Sequence, residues 1–342
     1  MNSLGKNFVF TSFGESHGKA IGGVLDGVPA GVHIDMDMIR EALDKRAGRP
    51  PLTPPSKGES SISGVSARAL REGDEVEWLG GVMDGVTLGT PIAFIIRNRD
   101  ARSEDYDWLK HNYRPGHADR TYQEKYGIRD HRGGGRASAR ETASRVVAGS
   151  IAQQLLKEKG LDIWAKLVQV GEEQNPERFN EYIAAIQRDG DSIGGIVECV
   201  ITGLPIGVGE PIFDKLQSHL AFAMMSINGC KGFEYGSGFE GIGLKGSEMY
   251  LSENHTLISG GIAGGISDGT PVVFRCVFKP TASNRKTLEK AYPHPLPEGK
   301  GEDKKIVGRH DACIAVRAVA VVEAMAALVV QDFLDEDSEI LC

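Results

Sequence analysis

The chain has 342 residues, 40% of them hydrophobic and 25% charged, which is an ordinary globular balance with length enough to bury a large core. Its net charge of −8 argues against a nucleic-acid binder held by bulk electrostatics. The longest apolar stretch, Ala318 to Val330, is broken by Glu323 and is too short to span a membrane.

Met1 to Lys6 has no apolar signal core. The five cysteines, at 199, 230, 276, 313 and 342, show neither CxxC nor zinc-ligand spacing. Both point to a reducing, cytoplasmic location and to no metal site.

Phe8-Val9-Phe10 reads as a short strand and runs into Phe13-Gly14-Glu15-Ser16-His17-Gly18. A histidine between small residues has little side-chain cover and suits acid–base work at neutral pH. A turn histidine with no chemistry fits this segment equally well. No G-x-S-x-G elbow accompanies Ser16, so a hydrolase reading is set aside. Gly22 to Leu25 is a second short strand, and Asp35 is placed to cap a helix running to Arg46. The next segment, about residues 49–66, opens with four prolines among serines, lysine and glycine and reads as a long surface loop. Ile92 to Ile96 is a strand.

Charge then concentrates. Between Arg97 and Arg145, ten arginines and two lysines face eight acids, a local +4 in an acidic chain. Such a field suits a small anionic ligand better than a long polyanion. Within it, Arg114-Pro115-Gly116-His117-Ala118-Asp119 puts a second histidine after a glycine in a turn. Arg132-Gly133-Gly134-Gly135-Arg136 follows, and a helix pattern from Ala139 to Lys159 begins at once. Glycines that let a ligand approach the main chain, arginines beside them and a helix start together describe an anion site.

The second half alternates. Helices are expected over Pro176–Arg188 and Asp214–Met225, and strands over Gly195–Ile201 and Val272–Phe278. Gly260 to Ser267 would let a flat ligand approach the backbone, but it is not a G-x-G-x-x-G fingerprint. Lys279-Pro280-Thr281-Ala282-Ser283 offers a lysine and two hydroxyls on a stiff turn, a weak phosphate cradle. A second Pro-rich loop covers about 292–305. Gly308-Arg309-His310-Asp311-Ala312-Cys313 opens a last helix, Asp311 to Asp332, which is apolar on nearly all sides and so belongs between layers. Asp311 reads either as a helix cap or as an acid–base carboxylate.

These motifs, in this order from residue 13 to residue 313, resemble the chorismate synthase family over nearly the whole chain. Further blocks carry the likeness: Tyr122, Lys125-Tyr126-Gly127, Met225-Ser226-Ile227-Asn228 and Lys231-Gly232-Phe233-Glu234. The resemblance implies an α+β fold, a β-α-β sandwich with helices between antiparallel sheets, in one domain spanning 1–342. It implies anti-1,4-elimination of phosphate from 5-enolpyruvylshikimate 3-phosphate to chorismate, on the shikimate route to aromatic amino acids. The cofactor implied is reduced FMN (FMNH2), with no net redox change. NADPH would act only indirectly, through an external flavin reductase, and the chain would form a homotetramer.

By position, His17 would be the acid at the departing phosphate, and His117 would hold or protonate the reduced flavin. Asp311 would help relay the substrate proton. FMN contacts would come from Arg136, Ala137, Ser138, Asn228, Gly229, Gly264, Lys279, Pro280, Thr281, Ala282, Ser283 and Arg309. Arg46 would lie near the substrate or nicotinamide. Alanine stands at 137 and 282 where the family usually has serine, and at 312 where it has proline; Gly229 replaces an alanine. A second family arginine after Arg46 has Arg49 or Arg68 as its counterpart. A flavin-dependent oxidoreductase and a non-catalytic scaffold are the competing readings. The first would consume NAD(P)H with turnover, and the second has no need of His17, His117 and Asp311.

Overall fold

A computed structural model describes residues 1–49, 73–99, 103–251, 258–292 and 311–336. Nearly all of both Pro-rich loops, with Arg68 and Arg309, lies outside the described residues. Numbered in chain order, β1 (Ser3–Leu4), β2 (Val9–Phe13), β3 (Ala20–Asp26), β4 (Val76–Gly80) and β7 (Ile92–Arg97) form one antiparallel sheet in the order β1-β2-β3-β7-β4. The short strands β5 (Val82–Met83) and β6 (Val86–Thr87) make a separate hairpin. A second antiparallel sheet has the order β10-β13-β9-β8, from β8 (Asp162–Val170), β9 (Gly195–Thr202), β10 (Cys230–Tyr235) and β13 (Val272–Phe278). Between β10 and β13 lies the hairpin of β11 (Ile262–Ala263) and β12 (Ile266–Ser267).

Period-two alternation decides which face of each sheet is buried. Ile92, Phe94 and Ile96 point inward from β7, as do Val272, Phe274, Cys276 and Phe278 from β13. The helices are α1 (Met36–Ala47), α2 (Asp119–Tyr126), α3 (Thr142–Glu158), α4 (Pro176–Arg188), α5 (Leu216–Met225), α6 (Gly246–Leu251), α7 (Arg285–Ala291) and α8 (Ala315–Glu336). α3 packs on β3 and the first sheet, α8 packs on β8 and β9 of the second, and α3 and α8 pack on each other. The result is the expected sandwich of helices between two antiparallel sheets.

Every residue from Ala318 to Leu334 is buried, as its apolar composition requires. Fully enclosed valines such as Val322 and Val330 contribute roughly 1.5–3 kcal/mol each. The crossing of α3 and α8 is so close that a Cβ at Gly149 would lie 2.4 Å from Cα of Ala324. Polar ties close the ends. Asp35 caps α1 by accepting from the amides of Asp37 and Met38 at 2.9 and 3.0 Å. Asp332 Oδ1 accepts from the amides of Lys6, Asn7 and Phe8 at 2.7, 2.7 and 2.9 Å, which pins the start of the chain to α8.

Two helix starts differ by three residues or more from the sequence expectation. The helix expected from Ala139 begins with a 3-10 turn, Ala139–Glu141, because Ser138 is extended and accepts from the Arg140 amide. The last helix begins at Ala315, four residues after Asp311. Strand β8 was not anticipated, although Ile163, Ala165 and Leu167 alternate inward against the outward Trp164 and Lys166.

Candidate active site

The loop after β2 carries His17 into the interior, where it is only 5% exposed. Its Nδ1 lies 3.1 Å from Oγ of Ser16, and the Tyr106 ring meets it edge-on with centroids 4.8 Å apart. The Gly-rich loop presses on the other side. Gly133 has φ +62, and a Cβ there would stand 2.1 Å from Cε1 of His17. Only glycine combines that conformation with that approach. Arg136 ties the same loop back to the end of β2, donating to the carbonyl of Gly14 at 3.2 Å and to Oγ of Ser12. The amides of Ala137 and Ser138 donate to Gly134 and Gly135 at 2.9 and 3.3 Å, closing the turn.

Next to it, Arg114 forms a fork with Asp119: Nε and Nη2 reach the two carboxylate oxygens at 2.8 Å each, and the Arg114 amide adds a third bond at 3.0 Å. Both side chains are 4% exposed. Burial pushes the Asp119 carboxyl up, but the Arg114 bonds and charge outweigh it and hold the group below the usual carboxylate range. His117 sits in this turn and its charge also favours ionised Asp119. A Cβ at Gly134 would lie 3.0 Å from Nη2 of Arg114, so the two loops touch.

Arg46, at the end of α1, is 2% exposed. It donates to Thr142 Oγ1 at 3.0 Å and to the carbonyls of Ala139 and Arg140 at 2.8 and 3.3 Å, and it pairs with Asp74 at 3.3 Å. Asp74 also binds Arg140, whose Nε donates to Asn98 at 3.1 Å. Asn98 in turn donates to the carbonyls of Glu15 and Gly18 at 3.0 Å, on either side of His17. Burial would raise the Asp74 carboxyl, yet Arg140 and Arg46 hold it below its ordinary value. The other arginine near this end, Arg49, pairs with Asp44 at 2.5 Å.

The third wall comes from the second sheet. Lys279, just past β13, donates from its ammonium to the Gly116 carbonyl at 2.8 Å and from its amide to the Gly229 carbonyl at 3.0 Å. Asn228 donates to the Ser138 carbonyl at 2.9 Å. A Cβ at Gly116 would lie 3.0 Å from that of Ala282. Pro280 packs beside Gly194, and the Thr281 carbonyl accepts from Ser192 at 2.7 Å. Asp311 lies in the loop ahead of α8, 8% exposed, with its carboxylate 2.8 Å from Arg317.

Thus His17, His117, Asp311, Arg46, Arg136 to Ser138, Asn228, Gly229 and Lys279 to Ser283 belong to one set of touching segments. Among the described residues, no hydrogen bond or close approach joins Gly264 to them. Its hairpin bonds the N-terminal end of α5, where Leu216 donates to Gly265, and Asn228 follows the C-terminal end. Ten helical residues separate those ends, about 15 Å. Arg309 is outside the described residues.

The loop Lys279–Ser283 fits a phosphate-bearing cofactor. Thr281 Oγ1 and Ser283 Oγ are buried without a hydrogen-bond partner among the described residues. Such orphaned hydroxyls cost roughly 1–3 kcal/mol each, which an acceptor-rich group would offset. Burial and the like charge of Lys231 lower the Lys279 ammonium. Arg114, Asp74, Arg140 and Arg317 were missed as individual site residues. The arginine surplus and the motifs around it signalled Arg114 and Arg140, while nothing in the sequence marked Asp74 or Arg317.

The family model described as chorismate synthase matches residues 8–334. A chorismate synthase of Christiangramia forsetii is 48% identical over 362 residues, covering 97% of each chain. One of Bacteroides thetaiotaomicron is 45% identical over 374 residues, covering 99% of each. Among solved structures, a crystal structure of chorismate synthase aligns with TM-score 0.70 and 28% identity, covering 97% of this chain and 93% of that one.

Proposed function

The chain belongs to the chorismate synthase family, and on that premise we propose that His17, His117 and Asp311 are its acid–base groups and that the Lys279–Ser283 loop holds FMN. The reaction is a carbon–oxygen lyase step: phosphate leaves 5-enolpyruvylshikimate 3-phosphate by anti-1,4-elimination and chorismate forms, on the shikimate route to aromatic amino acids. The family implies a reduced flavin.

The observation that supports these roles best is the convergence of two buried carboxylate–arginine forks, Arg114–Asp119 and Arg46–Asp74–Arg140, around His17. The substrate carries a phosphate and two carboxylates, and guanidinium groups fixed in advance by Asp119 and Asp74 would meet that charge without reorganisation. His17, with Nδ1 held at Ser16, would carry the proton for the departing phosphate on Nε2. Asp311 would help relay the proton lost from carbon. His117 would keep a proton beside the flavin. Arg136, Ala137, Ser138, Asn228 and Gly229 would border the ring, with Lys279, Thr281 and Ser283 at the flavin phosphate. When bound, the reduced flavin lends electron density to the substrate as phosphate departs and is recovered reduced.

Residues 1–342 act as one domain. Large exposed apolar side chains, Phe213 at 88%, Phe239 at 82% and Ile242 at 91%, offer surface for a homotetramer. The flavin is reduced by an external reductase in the cytoplasm; among the described residues no helix is long and apolar enough to cross a membrane. Titration with FMN, followed by quenching of its fluorescence, tests the cofactor loop. Lys279→Ala should weaken binding about tenfold or more, as loss of a charged phosphate contact does. Unchanged affinity would remove this loop from the site.

A further inference from the structure

Asp311 and Arg46 stand on different elements, yet one side chain touches both. Arg317, in the first turn of α8, donates from Nη1 to Oδ2 of Asp311 at 2.8 Å and from Nε to the main-chain carbonyl of Arg46 at 3.1 Å. The Arg317 and Asp311 side chains are 14% and 9% exposed, so the contact is largely shielded from water. From Ala315 to Leu334, Arg317 is the one residue that is not fully buried.

The Arg46 carbonyl lies in the last turn of α1, where carbonyls lack intrahelical partners. The amides of Gly48 and Arg49 go to Lys45 and Asp44 instead. A cation there meets the negative end of the helix, and Arg317 reaches the Arg46 carbonyl itself. Its other donors are then aimed at Asp311. Lysine could not do both, because only the guanidinium presents Nε and Nη donors in one rigid plane. Arg317 also acts on Asp74, adding its charge to those of Arg140 and Arg46.

We propose that Arg317 is a positioning residue for the elimination: anchored on the Arg46 carbonyl, its guanidinium sets the Asp311 carboxylate. This rests on Asp311 as an acid–base group. Arg317 acts by holding the Asp311 carboxylate in place relative to Arg46.

The test compares Arg317→Lys, Asp311→Asn and the double variant of the full chain, assayed anaerobically with dithionite-reduced FMN. Arg317→Lys should lower kcat about 10- to 100-fold, the scale of a small misplacement of a catalytic group. The acid limb of its pH–rate profile should move to higher pH, because a carboxylate next to a weaker cationic partner protonates more readily. FMN affinity should stay within about threefold of the parent, since Arg317 is not among the proposed flavin contacts. The double variant should be no slower than Asp311→Asn, since both losses run through one carboxylate. A kcat for Arg317→Lys near that of the parent would overturn the proposal. So would a double variant slowed by the product of the two single effects, or a variant that loses FMN binding together with thermal stability. Parental kcat in Asp311→Asn alone would refute the acid–base reading of Asp311 itself, and that result is read without any Arg317 variant.

Discussion

Gly133 lies flat against the imidazole of His17, so close that a Cβ would stand 2.1 Å from Cε1 and 2.2 Å from Nδ1. The Gly-rich loop therefore fixes a histidine that is more than a hundred residues away in sequence. Gly133→Ala would force the ring to move and place alanine at φ +62. Stability should fall by about 1–3 kcal/mol, the range for overpacking. Activity should fall about 100-fold, the cost of roughly 1 Å of misplacement. Thermal unfolding and anaerobic turnover of this variant, measured side by side, check both.

Much of this was legible before the fold was known. The strand Val272–Phe278 and the buried last helix announce themselves by period and composition. The arginine surplus and the glycine triplet mark an anion site. What the sequence hides is pairing across distance. Nothing at Asp74 distinguishes it from any surface aspartate until the fold brings Arg46 and Arg140 to it. Asp311 could be a cap by spacing; the fold starts the helix at Ala315 and gives the carboxylate to Arg317. Strand β8 carried a signal, alternation over Ile163, Ala165 and Leu167, that the outward Trp164 obscures because it is itself a bulky hydrophobe.

The Arg114–Asp119 fork should leave a mark on acid stability. Asp119 is held below the usual carboxylate range, so the unfolded chain binds its proton more readily than the folded one. Its contribution is fully present above the unfolded value, about 3.9, and disappears as pH falls through the lower folded value. Asp119→Asn should cost about 3 kcal/mol at neutral pH, because it leaves a buried guanidinium uncompensated. The difference between variant and parent should shrink below about pH 4. Denaturant unfolding from pH 3 to pH 7 measures it.

FMN affinity should depend on pH at the alkaline side. Burial, then the charge of Lys231, lower the Lys279 ammonium, so it loses its proton before an ordinary lysine does. Affinity for the flavin phosphate should begin to fall below the usual lysine value of about 10.4. Lys231→Ala removes the like charge and should move that decline to higher pH. Fluorescence titrations at a series of pH values give the answer, and an identical profile in the variant would detach Lys231 from the site.

The purified protein should not oxidise NADPH in the presence of FMN faster than a protein-free control. The sequence offers no strand–glycine–helix unit for a nicotinamide dinucleotide. Absorbance at the nicotinamide band, followed anaerobically, is sufficient. A rate well above the control would make the chain its own flavin reductase.

On the proposed function, these loops form a phosphate-eliminating site that depends on reduced flavin yet consumes no reductant. Anaerobic incubation with 5-enolpyruvylshikimate 3-phosphate and dithionite-reduced FMN, with chorismate and phosphate followed together, tests it most directly. Equal release of both over many turnovers, lost with oxidised FMN and lost in His17→Ala although FMN still binds, is the predicted result. FMN binding without either product, or product formation that uses up one reducing equivalent per turnover, would contradict it.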